Sequence, residues 1–147
     1  MTAPVIVDTG PLVALFNRRD QWHRWAVQQF GALAAPLLTC EAVVVEAAHL
    51  LRHDAKGPDA IFQLMSRGLL TIDFSVAAQS EPIRKLMWRY RDVPMSVADA
   101  CLVRMSENVA DARVLTLDAD FRRYRRHGRQ IISLIVPADV GPRARRP

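Results

Sequence analysis

The sequence predicts an α/β fold, a mostly parallel five-stranded sheet flanked by helices. Three observations predict it. Val5-Ile6-Val7 is apolar at every position, the pattern of a strand buried on both faces. Strand-like and helix-like runs then alternate along the chain, as βαβ units require. Finally, 147 residues, 50% of them hydrophobic and 24% charged, suffice for one domain with its own core and are too few for two.

The first strand ends on Asp8, and Gly10-Pro11 turns the chain into a helix expected over Pro11 to Asn17. Asp8 therefore stands at the carboxyl end of a central strand, where open α/β sheets bind ligands. A buried charge is costly without a partner. A second helix is expected over Gln21 to Phe30 with Asp20 as N-cap, and its Trp22, Trp25, Ala26 and Phe30 share one face. That face reads first as core, with any exposed remainder available for interaction. Pro36 to Thr39 reads as the second strand, with Thr39 capping a helix that runs to Arg52.

Gly57-Pro58 opens another helix and Gly68 closes it. Leu69 to Phe74 reads as the third strand, and Ser80-Glu81-Pro82 begins a helix reaching about Tyr90. Ser96 caps a helix running to about Glu107, Val114 to Leu117 is the fourth strand, and Ile131 to Val136 the fifth. Residues 137–147, with Arg143, Arg145 and Arg146, lack periodicity and are expected to be a disordered basic tail after a domain over 1–136. There is no internal repeat.

No apolar run approaches the roughly 18 residues needed to cross a bilayer, and the chain opens without the basic and apolar regions of a signal peptide. A cytoplasmic protein with no membrane partner is expected. Cys40 and Cys101 sit in apolar helical stretches without metal-ligand spacing, so reduced buried thiols are expected. The net charge of +5 points modestly to an anionic partner.

Four acids ask for an explanation. Asp8 and Asp118 each follow an apolar strand and precede a turn, Asp99 opens an apolar helix, and Glu46 lies inside Ala42-Val43-Val44-Val45-Glu46-Ala47-Ala48. Structural readings exist for three of them. Ser96-x-x-Asp99 fits a capping box, Asp118 fits the cap of the segment after it, and Glu46 fits a solvated stripe. Glu41 is less demanding, because the helix dipole favours an acid in the first turn. Taken together, converging carboxylates repel by roughly 4 kcal/mol per pair at 4 Å and an effective dielectric near 20, and so need protons or a cation. Oxygen ligands without His or Cys suit Mg²⁺ or Mn²⁺. Such an ion activates water and neutralises charge on a phosphodiester.

These residues carry a resemblance. Val-Asp-Thr-Gly-Pro-Leu-Val-Ala-Leu-Phe at 7–16, Glu46-Ala-Ala-His-Leu-Leu, Met95-Ser-Val-Ala-Asp99-Ala and Leu115-Thr-Leu-Asp118-Ala-Asp120-Phe121 resemble the four signature blocks of the PIN domain, in order and spacing. The resemblance implies a three-layer PIN-like fold and an Mg²⁺- or Mn²⁺-dependent endoribonuclease, of the VapC type found in toxin–antitoxin pairs. It implies catalytic and metal-site roles for Asp8, Glu46, Asp99 and Asp118, with Glu46 preferred to Glu41. Thr9, Thr116 and Asp120 become auxiliary residues. RNA as substrate, a cognate antitoxin protein and a homodimer are the implied partners.

Neutralising four of the 15 acids leaves eleven against 20 Lys and Arg, an excess able to hold a phosphate backbone. The densest basic run, Arg122 to Arg129, follows the Asp118 turn, and Arg122 and Arg123 are the expected RNA contacts. Other readings are weaker. Glu46-x-x-His49 lacks the second half of a di-iron motif, and a receiver-type phosphotransfer domain lacks its Lys after the fourth strand. A non-catalytic interaction module on the same scaffold, binding nucleic acid, or binding a protein partner through the Trp22/Trp25 helix, is the reading from another class. Intact carboxylates argue against it.

Overall fold

The computed structural model describes residues 2–141. Its main sheet has five strands: β1 (Val5–Val7), β2 (Leu37–Thr39), β3 (Leu70–Ile72), β4 (Arg113–Leu115) and the last strand, β7 (Leu134–Ile135). They lie in the order β3-β2-β1-β4-β7, and all four pairings are parallel. β1 is the central strand, and Val5, Ile6 and Val7 are all buried, as a run apolar on both faces requires. The chain proceeds from β1 to β2 on one side and later reaches β4 on the other, so strand order reverses at β1. That reversal opens a crevice at the carboxyl ends of β1 and β4.

Six helices connect these strands: α1 (Thr9–Phe16), α2 (His23–Ala32), α3 (Glu41–Leu50), α4 (Lys56–Ser66), α5 (Ser80–Arg89) and α6 (Val97–Asn108). The core joins β1 and β4 to Val43, Ala47, Ile61 and the inner side of α6, where Ala100, Cys101, Leu102 and Val103 are fully buried. Trp25 and Phe30 pack against this core and Ala26 is fully buried, so that face of α2 is structural. Cys40 and Cys101 are both buried and free. No helix among the described residues is long and apolar enough to cross a membrane.

Three local expectations are corrected. α2 begins at His23, not Gln21, and Asp20 is not its N-cap. Asp20 Oδ1 instead accepts Trp22 N at 2.8 Å, closing a turn before the helix. Thr39 does not cap α3 either, because its hydroxyl donates across the sheet to the Val7 carbonyl at 2.9 Å, and Cys40 occupies the cap position.

The third correction concerns the fifth strand. Ile131 to Val136 does not form one strand: Gln130–Ile131 (β6) pairs antiparallel with Arg125–Arg126 (β5), and only Leu134–Ile135 joins the main sheet. The reason is the turn before it. His127 and Gly128 both adopt positive φ, which folds the basic run back as a hairpin. That hairpin leaves Ile131 74% exposed while Ile132 is buried. Of the residues expected to form a tail, 142–147 lie outside the described residues, and 137–141 form no helix or strand.

Candidate active site

The crevice at the switch point is a cleft of about 440 Å³ lined by Asp8, Thr9, Glu46, Asp99 and Asp118, among others. Each element brings its residue there for a local reason. Asp8 continues β1, its N–H still donating to the Leu115 carbonyl at 3.0 Å, and simultaneously caps α1. Its Oδ1 accepts Thr9 N at 2.7 Å, one of the donors a helix start leaves free. Its Oδ2 accepts the Thr116 hydroxyl at 2.7 Å. The Thr116 oxygen accepts Asp118 N at 2.9 Å, so one hydroxyl beyond β4 fixes two carboxylate positions at once.

Asp118 in turn caps the 3₁₀ turn over Ala119–Arg122, its Oδ1 accepting Asp120 N at 2.9 Å. Glu46 sits one turn into α3, half-buried, and accepts the Thr9 hydroxyl at 3.1 Å. Glu41, in the first turn of the same helix, is exposed and does not line the cleft. Asp99 forms a capping box with Ser96: its N–H donates to Ser96 Oγ at 3.0 Å, and its Oδ2 accepts Ser96 N at 3.3 Å. The capping reading and the cleft position therefore hold for the same residue. Asp99 is 2% exposed, and its carboxylate lines the cleft while capping α6.

The electrostatics follow from this burial. Asp8 is 5% exposed, and desolvation pushes its carboxyl up to about 7 from the usual 3.8. The Asp99 and Asp118 charges add to the rise, while the Thr116 and Thr9 hydrogen bonds oppose it. Asp8 thus senses the charge of two neighbouring acids. Among the described residues, no three His, Cys, Asp or Glu side chains are grouped so as to hold an ion by themselves. The all-oxygen donor set still suits a hard cation such as Mg²⁺, which is commonly held by one or two carboxylates together with water and substrate phosphate.

Two residues of this neighbourhood carry no obvious sign in the sequence. Tyr124 is fully buried, and its hydroxyl donates to Asp99 Oδ2 at 3.0 Å. Burial and the Asp99 charge both push its phenol upward, so it stays a donor. Its ring packs edge-on against Tyr90 and Phe121, and the Phe121-x-x-Tyr124 spacing after the Asp118 turn was the available signal. Asp20, from the loop before α2, also lines the cleft. Asp120 is half-buried and lies outside the lining, 4.0 Å from Arg123 Nη1. Arg122 and Arg123 are exposed, whereas Arg125 and Arg126 are engaged with the carbonyls of Arg122, Tyr124 and Ser106.

Comparison with known proteins bears on the family and the fold. The chain is similar to Ribonuclease VapC26 of Mycobacterium tuberculosis, 26% identical over 116 residues that cover 78% of this chain and 86% of the relative. The fold is similar to the crystal structure of VapC20 from Mycobacterium tuberculosis, described as a Sarcin-Ricin loop cleaving toxin. That match has a TM-score of 0.64 at 18% identity and covers 75% of this chain and 86% of the other. The pattern of the PIN domain matches residues 5–127, a span that begins with β1 and includes Asp8, Asp20, Glu46, Asp99, Asp118 and Tyr124, and the chain belongs to the PIN domain family.

Proposed function

We propose that the protein is an endoribonuclease that hydrolyses RNA phosphodiester bonds with Mg²⁺ or Mn²⁺, and that it acts as the toxin of a VapC-type toxin–antitoxin pair. The observation that carries the reading is the cleft itself. Asp8, Glu46, Asp99 and Asp118 reach it from four different elements, and Asp8 is held there at a cost in burial and repulsion that a stabilising role would not explain. The similarity to Ribonuclease VapC26 supports the substrate class.

Asp8, Asp99 and Asp118, with Glu46 beside them, would hold the cation. When bound, it would activate water and neutralise the charge developing on the phosphate. The remaining work belongs to the chain. Thr116 orients Asp8 Oδ2 and the backbone of Asp118, Thr9 orients Glu46, and Tyr124 holds Asp99 Oδ2. None of these carboxylates can swing freely, so the site is organised before substrate arrives. Arg122 and Arg123, exposed next to Asp118, would contact the RNA backbone. A cognate antitoxin, homodimer formation and a cytoplasmic location belong to the same proposal.

The test is incubation of total RNA with purified protein under Mg²⁺, Mn²⁺ or EDTA, beside Asp8→Asn and Asp99→Asn. Defined fragments that vanish with EDTA and in both variants are expected. A folded protein free of bound inhibitor that cuts nothing under any metal would overturn the proposal.

A further inference from the structure

A second hollow, about 680 Å³, opens beside the carboxylate cleft and has Leu50 as a shared wall. Phe16, Arg18, Arg19, Leu51 and His53 complete most of its lining. We propose that it is a subsite for single-stranded RNA, holding nucleotides that flank the scissile phosphate. The inference rests on the nuclease reading of the cleft and extends it.

Position is the first argument. Thr9 lines the cleft and Phe16 lines the hollow, at opposite ends of α1, about 10 Å apart at 1.5 Å per residue. Glu46 and Leu50 are one turn apart on α3, so the two depressions follow the same pair of helices. A strand whose phosphate reaches Asp8 and Asp99 can therefore continue into the hollow without leaving the surface.

Chemistry is the second. Arg18 and Arg19 are exposed, and among the described residues neither guanidinium has an ion pair or a side-chain hydrogen bond. The acid on the rim, Asp54, directs Oδ1 to Lys56 N at 2.9 Å to close the turn into α4. Two unpaired guanidiniums suit phosphates, while the exposed ring of His53 offers a face for a base and Leu50 with the partly buried Phe16 an apolar wall beside it. An acidic protein segment would use the arginines but leave the apolar wall, the His53 ring and the link to the cleft without purpose.

The test is equilibrium binding of a labelled random-sequence RNA of about 12 nucleotides, in EDTA so that nothing is cleaved, across a salt series. The variant Arg18→Gln/Arg19→Gln is compared with Arg84→Gln/Lys85→Gln on α5, which removes the same charge elsewhere. Losing two phosphate contacts should lower the salt slope by about 1.4, which is about 25-fold in affinity at about 0.1 M salt when referred to 1 M. The α5 variant should bind like wild type, and both should keep the wild-type melting temperature.

Equal loss in both variants, unchanged binding in the first, or no RNA binding by wild type would overturn the subsite. So would capture of poly-glutamate as tight as RNA and equally dependent on Arg18 and Arg19, which would mark a protein-facing surface. Cleavage of total RNA is scored separately. Cleavage with intact binding by Arg18→Gln/Arg19→Gln removes the subsite and leaves the nuclease. Selective loss of binding without any cleavage by wild type removes the nuclease and leaves an RNA-binding hollow.

Discussion

Replacing Asp8 by Asn should stabilise the metal-free protein at alkaline pH while abolishing cleavage. Asp8 has a carboxyl raised from 3.8 to about 7 in the folded state, chiefly by burial. The folded state thus prefers the neutral acid. The associated stability is fully present below about pH 4 and is lost as the pH rises through about 7. At 1.36 kcal/mol per unit, the ionised group costs roughly 4 kcal/mol at pH 8, of which between 2 and 3 develops above about pH 5.

Asn removes the charge but disturbs one bond. The Thr116 hydroxyl loses its carboxylate acceptor, a loss of about 1 kcal/mol. The net gain at pH 8 is then about 3 kcal/mol, or roughly 6–12 °C in melting temperature for a chain of this size, with little change at pH 5. Thermal melts of both proteins in EDTA at pH 5 and pH 8 provide the assay, and Mg²⁺ or Mn²⁺ added to wild type should recover much of the difference. A shift of the same size at both pH values would show that Asp8 is not held against its charge.

Two further variants probe the surroundings. Tyr124→Phe removes the donor to Asp99 Oδ2 and should cost about 1–2 kcal/mol in urea unfolding, with a fall in cleavage rate larger than any change in RNA affinity; an unchanged rate would make Tyr124 purely structural. Gly57→Ala would place a Cβ 2.8 Å from Leu51 Cβ and 3.0 Å from its carbonyl oxygen, contacts that the backbone must shift to relieve. We expect a loss of about 1–3 kcal/mol despite the better helix propensity of Ala, and a melting temperature equal to wild type or higher would contradict the close packing of α4 on the end of α3.

Much of the site was legible because its acids violate local patterns. Asp8 interrupts nothing a turn requires, yet it ends a strand buried on both faces, and Glu46 stands in a run of Ala and Val. Asp99 and Asp118 were ambiguous between cap and site, and the structure shows that a capping acid can at the same time line the cleft. The errors came from long-range competition. Thr39 caps nothing because the Val7 carbonyl across the sheet claims its hydroxyl. The last apolar run splits because a turn at His127-Gly128 pairs its first residues with Arg125 and Arg126. No period within either segment reports such partners.

The sequence by itself determined the α/β class and the central position of β1, and it singled out four of the five acids that line the cleft, because periodicity and burial are written locally along the chain. Only the tertiary structure decided which side chains hold those acids. Thr116 reaches Asp8 across 108 residues, Thr9 reaches Glu46 across 37, and Tyr124 reaches Asp99 across 25. Tertiary structure also joined the ends of α1 and α3 into a second basic hollow and tied Arg125 and Arg126 to carbonyls, leaving Arg122 and Arg123 exposed. The physical reason is the same throughout: a hydrogen bond or a charge interaction depends on distance in space, and the order of strands β3-β2-β1-β4-β7 sets those distances only once the chain has folded.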